Sequence, residues 1–305
     1  MIPVSRVAIR APAKLNLGLA VLGRRSDGFH EILTILQAIG RYDDLALALD
    51  VGRPGVWIDG DDPAAAREVN LALMAAERLR ETTTGGESGG LRLALTKRIP
   101  VAAGLGGASS DAAAALLGTR RLLALDLADD ALAEVAGGLG SDVPFFLLGG
   151  TALAAGRGED LSALPTPPDL WFVVVAPPLA QPIARKTASL YAALGDHDFG
   201  DGADVRAQAV RLQAGEPLDP ELLGNAFARP LLKLRPELNE IQETMRRVAG
   251  RAVALSGAGP SHYVSFNDPE AAADLAGRLA EWLPRATVFA AAALTAGRVQ
   301  DMHAE

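Results

Sequence analysis

Four short segments hold the residue types that chemistry needs. The first, "PVAAGLGGASSDAAAALLG" at 100–118, puts Gly104, Gly106 and Gly107 directly ahead of a run suited to a helix. Glycines let backbone N–H groups approach an anion closely, and a helix N-terminus offers unpaired donors and the positive end of a dipole. Read alone, the loop is either a turn before a surface helix or a cradle for phosphate. Ser109, Ser110 and Asp111 are the candidate N-cap residues. Neither common nucleotide signature is present: no Gly-Lys pair occurs, and Ser109 stands where a dinucleotide fingerprint has its third glycine.

In the second segment, "APAKLNLGLAVLGRRSDGFHEI" at 11–32, Lys14 opens an alternating strand. It is either a solvated strand end or a catalytic cation. Asn16, one strand period on, shares its face. The third, "GLGSDVPFFLLGG" at 138–150, sets Asp142 at a helix start beside apolar surface. There it is either a cap or a carboxylate shielded enough to act as a base. The fourth, "ALSGAGPSHYVSF" at 254–266, places Ser256, Gly257 and Gly259 between two strands. It reads as a hairpin turn or as a second loop closing over the same anion. Only Lys14, Lys97, Lys186 and Lys233 among the 29 basic residues are lysines, so each is a candidate for a role that arginine cannot fill.

Composition narrows the classes. With 305 residues the chain can bury two cores, and 49% hydrophobic against 22% charged residues is a globular balance. A net charge of −8 argues against nucleic acid and anionic membrane as partners. The absence of cysteine excludes disulfides, thiolate catalysis and cysteine-bound metal. His30, His197, His262 and His303 have no metal-ligand spacing. The N-terminus is too polar for a secretory signal, and no stretch is long and charge-free enough to span a membrane, so the expectation is a cytoplasmic enzyme or binding protein.

The elements that must position these segments follow from periodicity. "KLNLGLAVLG", "FHEILTILQAI" and "DDLALALDV" read as three strands, the last two separated by "GRYDD". A helix is expected over 64–81, a flexible loop at 85–90, a strand in "LRLALTK" and helices near 109–125 and 129–138. "SALPTPPD" at 162–169 reads as a linker. Beyond it come a strand at 170–176, helices near 184–194 and 236–249, strands at 251–256 and 261–266, a helix over 268–282 and a strand at 286–292; 196–220 is the least defined region. The pattern is α+β in both halves, divided as 1–160 and 161–305.

The four segments, in this order and spacing, resemble the GHMP kinases, a superfamily of small-molecule kinases without a Walker loop. "PxxxGLGxxSS" is similar to its phosphate loop and "SGAGPS" to its late glycine motif, with the lysine and aspartate in the second and third segments. Lys-Leu-Asn followed by Asp-Gly-aromatic-His is similar to one branch, whose substrate is a cytidyl diphosphate-linked methylerythritol. The resemblance implies a two-domain fold, an N-terminal ribosomal-protein-S5-domain-2-like domain and a C-terminal ferredoxin-like domain. It implies ATP and Mg²⁺ as cofactors, a small-molecule partner, and a monomer or homodimer. It assigns catalysis to Lys14 and Asp142, and ATP binding to Pro100, Val101, Ala102, Ala103, Gly104, Leu105, Gly106, Gly107, Ala108, Ser109 and Ser110, with Ser110 a possible aid to Mg²⁺. Substrate contacts fall to Asn16, Phe29, His30 and Thr187, and the late motif to Ser256, Gly257 and Gly259. Asp142 would take the hydroxyl proton or only orient the hydroxyl. Phe29 stands where that branch usually has tyrosine, and Ala108 where glycine is frequent; without the resemblance, Phe29 and His30 read as a core aromatic and a surface turn residue.

Overall fold

A computed structural model of the chain describes residues 5–50, 52–59, 65–84, 90–178 and 186–297. Its first half is built on two long antiparallel strands, β1 (Arg6–Arg24) and β2 (His30–Asp50). The two strands expected in 29–51 are therefore one. The reason lies in side-chain parity. Along β2, Leu33, Ile35 and Ile39 enter one core, whereas Leu45 and Leu47, of the same parity, enter another. A register shift at Pro12/Ala13 turns the ladder over without ending it, and the separating "GRYDD" lies at that shift.

The far edge of β2 is shared by β5 (Thr151–Ala155) and β4 (Gly90–Thr96), and β4 carries the short parallel β3 (Val56–Asp59). β6 (Asp160–Leu164) pairs with β5, so the first part of the expected linker is strand, and its prolines, Pro165, Pro167 and Pro168, follow the strand. On the opposite face from the second half lie α1 (Ala65–Thr84), α2 (Gly107–Leu122), α3 (Asp129–Gly137) and α4 (Val143–Leu148). The small residues Ala112–Ala115 let α2 lie close on the sheet. Of the loop expected at 85–90, residues 85–89 lie outside the described residues and Gly90 begins β4.

The second half is an antiparallel sheet in the order β10 (Thr287–Ala292), β7 (Trp171–Ala176), β9 (His262–Phe266), β8 (Ala254–Leu255). β8 is shorter than the expected 251–256. Helices α8 (Leu238–Ala249) and α9 (Pro269–Trp282) cover one face, while α5 (Lys186–Ala192) and α7 (Ala228–Leu234) close over β1. The undefined region holds α6 (Ala203–Gln213), seated by Val205, Ala209 and Leu212.

The two sheets share a core. Leu15 and Leu17 of β1 and Ile35 of β2 pack with Phe172, Val174 and Tyr263 of the second sheet, all buried. The Tyr263 hydroxyl donates to the Asn16 carbonyl at 2.8 Å, which ties the second sheet to the strand that carries Lys14.

Candidate active site

A cavity of about 960 Å³ opens where the four segments meet. Lys14 and Asn16 reach it from β1, just ahead of a second register shift between Asn16 and Leu19. Such shifts re-aim side chains next to sites. Both residues are 4% exposed, so the face of β1 opposite Leu15 and Leu17 is not solvated. The Lys14 ammonium donates to Asn16 Oδ1 at 2.5 Å and lies 3.6 Å from Asp142 Oδ2. Asn16 Nδ2 donates to Thr34 Oγ1, whose hydroxyl donates to the Gly18 carbonyl at 2.6 Å. The Asn16 amide, expected to meet substrate, is thus engaged in fixing the lysine.

Asp142 is the N-cap residue of α4, but its side chain makes no capping bond. An aspartate at that position ordinarily accepts from the helix backbone. Here the carboxylate faces Lys14 and the cavity instead.

The glycine loop is held by its carbonyls. Ala102 O accepts from Lys186 Nζ (2.6 Å), Ala103 O from Ser261 N (3.1 Å), Gly104 O from Ser256 Oγ (2.9 Å) and Leu105 O from Lys14 N (2.9 Å). In a trans peptide the following N–H points the opposite way. Each of these four carbonyls is engaged within the protein, so the N–H of the same peptide points away from that partner. Helix α2 then starts at Gly107, with Gly106 (φ 72°) as N-cap and no side-chain cap, so Ser109, Ser110 and Asp111 lie inside its first turns rather than capping it. Asp111 is fully buried and meets Lys97 at 2.6 Å; Lys97 also bonds Asp43 at 2.5 Å.

The glycines are required by close approach between elements. A Cβ on Gly104 would stand 2.4 Å from the Ser256 carbonyl, and one on Gly106 would stand 2.8 Å from Phe146 and 2.9 Å from the Lys14 stem. Of the residues expected to bind ATP, Gly104, Gly106 and Ser109 line the cavity. Ala103 and Leu105 turn their side chains into the shared core, and Val101 is exposed. Ser110 is buried with its hydroxyl lacking a hydrogen-bond partner. In the late motif, Ser256 is tied to Gly104, Gly257 lines the cavity, and Gly259 O accepts from Lys186.

At the other end of the cavity the Asp-Gly-Phe-His segment forms a tight turn. Arg25 N donates to Phe29 O, Asp27 Oδ1 accepts from Phe29 N, and Gly28 takes φ 86°, a conformation that suits glycine. Phe29 is 53% exposed, with the Arg157 guanidinium 4.9 Å from its ring centre. The His30 ring stacks on Tyr191 at 4.4 Å, and its Nε2 is buried without a hydrogen-bond partner. Burial, with a smaller effect from Arg24, holds the His30 imidazole below its usual value, and so neutral at pH 7. Burial, then the charge of Asp142, pushes the Tyr191 phenol up to about 12. Thr187 lines the cavity on α5.

Sequence reasoning did not assign Tyr191, Arg157 or the Asp43–Lys97–Asp111 cluster. The scarcity of lysine was the available signal: three of the four lysines are held in this region, and Lys233 is exposed.

A glycine loop held by its carbonyls and a lysine–aspartate pair thus meet in one cavity. Profiles of the GHMP kinases N terminal domain and the GHMP kinases C terminal domain match residues 70–150 and 208–285. The homoserine kinase from Cytophaga hutchinsonii shares the fold, with a TM-score of 0.75 over 97% of this chain and 98% of its own, at 18% identity. The chain belongs to the GHMP kinases, ATP-dependent kinases of small molecules.

The 4-diphosphocytidyl-2-C-methyl-D-erythritol kinase of Geobacillus kaustophilus is 38% identical over 257 residues, covering 84% of this chain and 87% of the relative. That of Geobacter sulfurreducens is 36% identical over 96% of this chain and 100% of its own. A crystal structure of 4-(cytidine 5'-diphospho)-2C-methyl-D-erythritol kinase superposes with a TM-score of 0.76, covering 93% of this chain and 99% of that one, at 37% identity. Within the GHMP kinases, the chain belongs to this family.

Proposed function

We propose that this chain transfers the γ-phosphoryl of ATP to the C2 hydroxyl of the methylerythritol part of 4-diphosphocytidyl-2-C-methyl-D-erythritol, giving the 2-phosphate and ADP. The observation that supports the reading is that Lys14 and Asp142 line one cavity with Gly104 and Gly106 of the glycine loop and with Phe29 and His30, whose Nε2 is unpartnered. Phosphoryl transfer asks mainly for alignment and charge neutralisation. The donors around 103–110 and the start of α2 would take the ATP phosphates. Asp142 would orient the acceptor hydroxyl and receive its proton, while Lys14, held by Asn16, would face the charge that develops on the transferred group. Phe29 would stack on the cytosine, and neutral His30, with one ring donor and one acceptor, would read its edge.

Mg²⁺ belongs to the same proposal. The ion would be carried mainly by the ATP phosphates. Ser110, with its unpartnered hydroxyl, is the protein group that would assist it, although Ser109 is the serine that lines the cavity. Bound Mg²⁺ would supply neutralisation of the phosphate charge. The domain division, the cytoplasmic location and a monomer or homodimer complete the reading; the lack of cysteine fits a reducing compartment.

The test is a kinase assay with ATP on a panel of the cytidyl substrate, mevalonate, homoserine and galactose. Turnover confined to the cytidyl substrate is expected. Turnover of any other, with none of the cytidyl compound, would overturn the reading.

A further inference from the structure

Helix α5 touches both ends of the cavity, and the catalytic pair does not use it. Its positions fall into two rows at a spacing of four, the spacing that puts residues on one face of a helix. Thr187 and Tyr191 form one row: Thr187 lines the cavity and Tyr191 stacks on His30 at 4.4 Å. Lys186 and Leu190 form the other. Leu190 is fully buried with Leu231 and Leu255, the side chains that a Cβ on Gly259 would strike.

Lys186 sends its ammonium to two carbonyls on different loops, Ala102 of the phosphate loop and Gly259 of the late glycine loop. Both residues hold positive φ, 54° and 64°. For Ala102 this conformation is unfavourable and must be held by its surroundings. The two loops are already joined by Ser261 N to Ala103 O and by Ser256 Oγ to Gly104 O. Lys186 adds the third element to that junction, and it is the element whose other row forms the cytidyl end.

We propose that Lys186 is a positioning residue that couples the two substrates: a cytidyl group ordered against His30 and Tyr191 fixes α5, and α5, through Lys186, seats the two glycine loops for ATP. The inference rests on the function proposed above. A single rigid turn carries the effect; Lys186 need not touch either substrate. Coupling of this kind is reciprocal, so ATP must tighten the cytidyl site by the same factor.

The experiment titrates a non-hydrolysable ATP analogue by calorimetry, with and without saturating cytidine diphosphate. It uses the parent chain, Lys186→Met and Lys186→Arg. In the parent, cytidine diphosphate should tighten the analogue about tenfold, within the usual 5–150-fold range of coupled sites. Lys186→Met, which keeps the stem and loses the donors, should bring the factor below about twofold. Lys186→Arg should keep most of it; a factor as low as that of the methionine variant would assign the effect to packing of α5 and overturn the clamp. A parent that binds both nucleotides without coupling, or a methionine variant with the parent's factor, overturns the inference alone. A parent that binds neither overturns the substrate reading and the inference together. A second measurement needs no variant: amide exchange at 102–105 and 257–259 should slow when cytidine diphosphate alone is added to the parent. Protection confined to the turn at 25–30 would overturn the coupling.

Discussion

Asp142 occupies the position of its helix where an aspartate ordinarily bonds the backbone, yet its carboxylate turns to Lys14. Asp142→Asn keeps size and loses charge and proton acceptor, so kcat should fall by on the order of 10²–10⁴, as for loss of a general base. Binding of cytidine diphosphate should persist. A single-turnover rate equal to the parent's would return Asp142 to the status of a helix-start residue. Lys14→Ala should also lose turnover, and the double variant should lose less than the two effects combined if the pair acts as a unit. At the proposed cytidyl end, Phe29 would give area and His30 choice. Stacking is worth about 1–3 kcal/mol per base and tolerates any base, so Phe29→Ala should weaken cytidyl and uridyl substrates alike. His30→Ala should narrow the gap between them, read as the ratio of kcat/KM. The turn that presents both residues was legible in the sequence from Asp27 and Gly28. The partner of His30 was not: Tyr191 is remote in the chain, and nothing local in "KTASLY" says that it meets a ring from β2.

At the scale of elements, the two glycine loops are complementary surfaces in backbone. Gly104→Ala would drive a methyl group against the Ser256 and Gly259 backbone, where no flexible side chain can yield. Affinity for an ATP analogue should fall on the order of tenfold or more, about 1.4 kcal/mol, with cytidine diphosphate binding altered less. Gly106→Ala pushes instead on Phe146 and the Lys14 stem. It should therefore lower kcat as well as ATP affinity, and steady-state kinetics with each substrate varied separates the two. Equal effects of both variants on kcat would show that the loops do not divide the work in this way. The helices around the loop and most strands were readable from periodicity. Two features were hidden for physical reasons. The 21-residue β2 changes its buried parity midway, which mimics a break. β6 was obscured by the prolines that follow it, since strand pairing with β5 ends before they begin.

For the molecule as a whole, a buried histidine of β9 ties stability to pH. His262 is 1% exposed beside the core residue Tyr263, and burial holds its imidazole down to about 4. Between pH 6.5 and 4 the unfolded chain therefore binds a proton that the folded chain does not, and stability must fall as pH drops through that window. The effect amounts to roughly 3 kcal/mol by pH 4. Urea unfolding at pH 7.5 and pH 5 should show the loss, and His262→Gln should flatten it; equal slopes in parent and variant would place the pH dependence elsewhere. The core shared by the two sheets has a consequence for how the chain comes into being. The buried faces of Leu15, Leu17 and Ile35 meet Phe172, Val174 and Tyr263, all encoded after the first sheet is complete. A nascent chain halted after residue 165 thus holds an uncovered apolar face. At about 5–20 residues per second of synthesis, that face waits on the order of 10 s for its partners. A fragment ending there should bind a hydrophobic dye and yield to protease where the full chain resists both. The N-terminal half carries the lysine, the aspartate and the phosphate loop, but it is born wanting its lid.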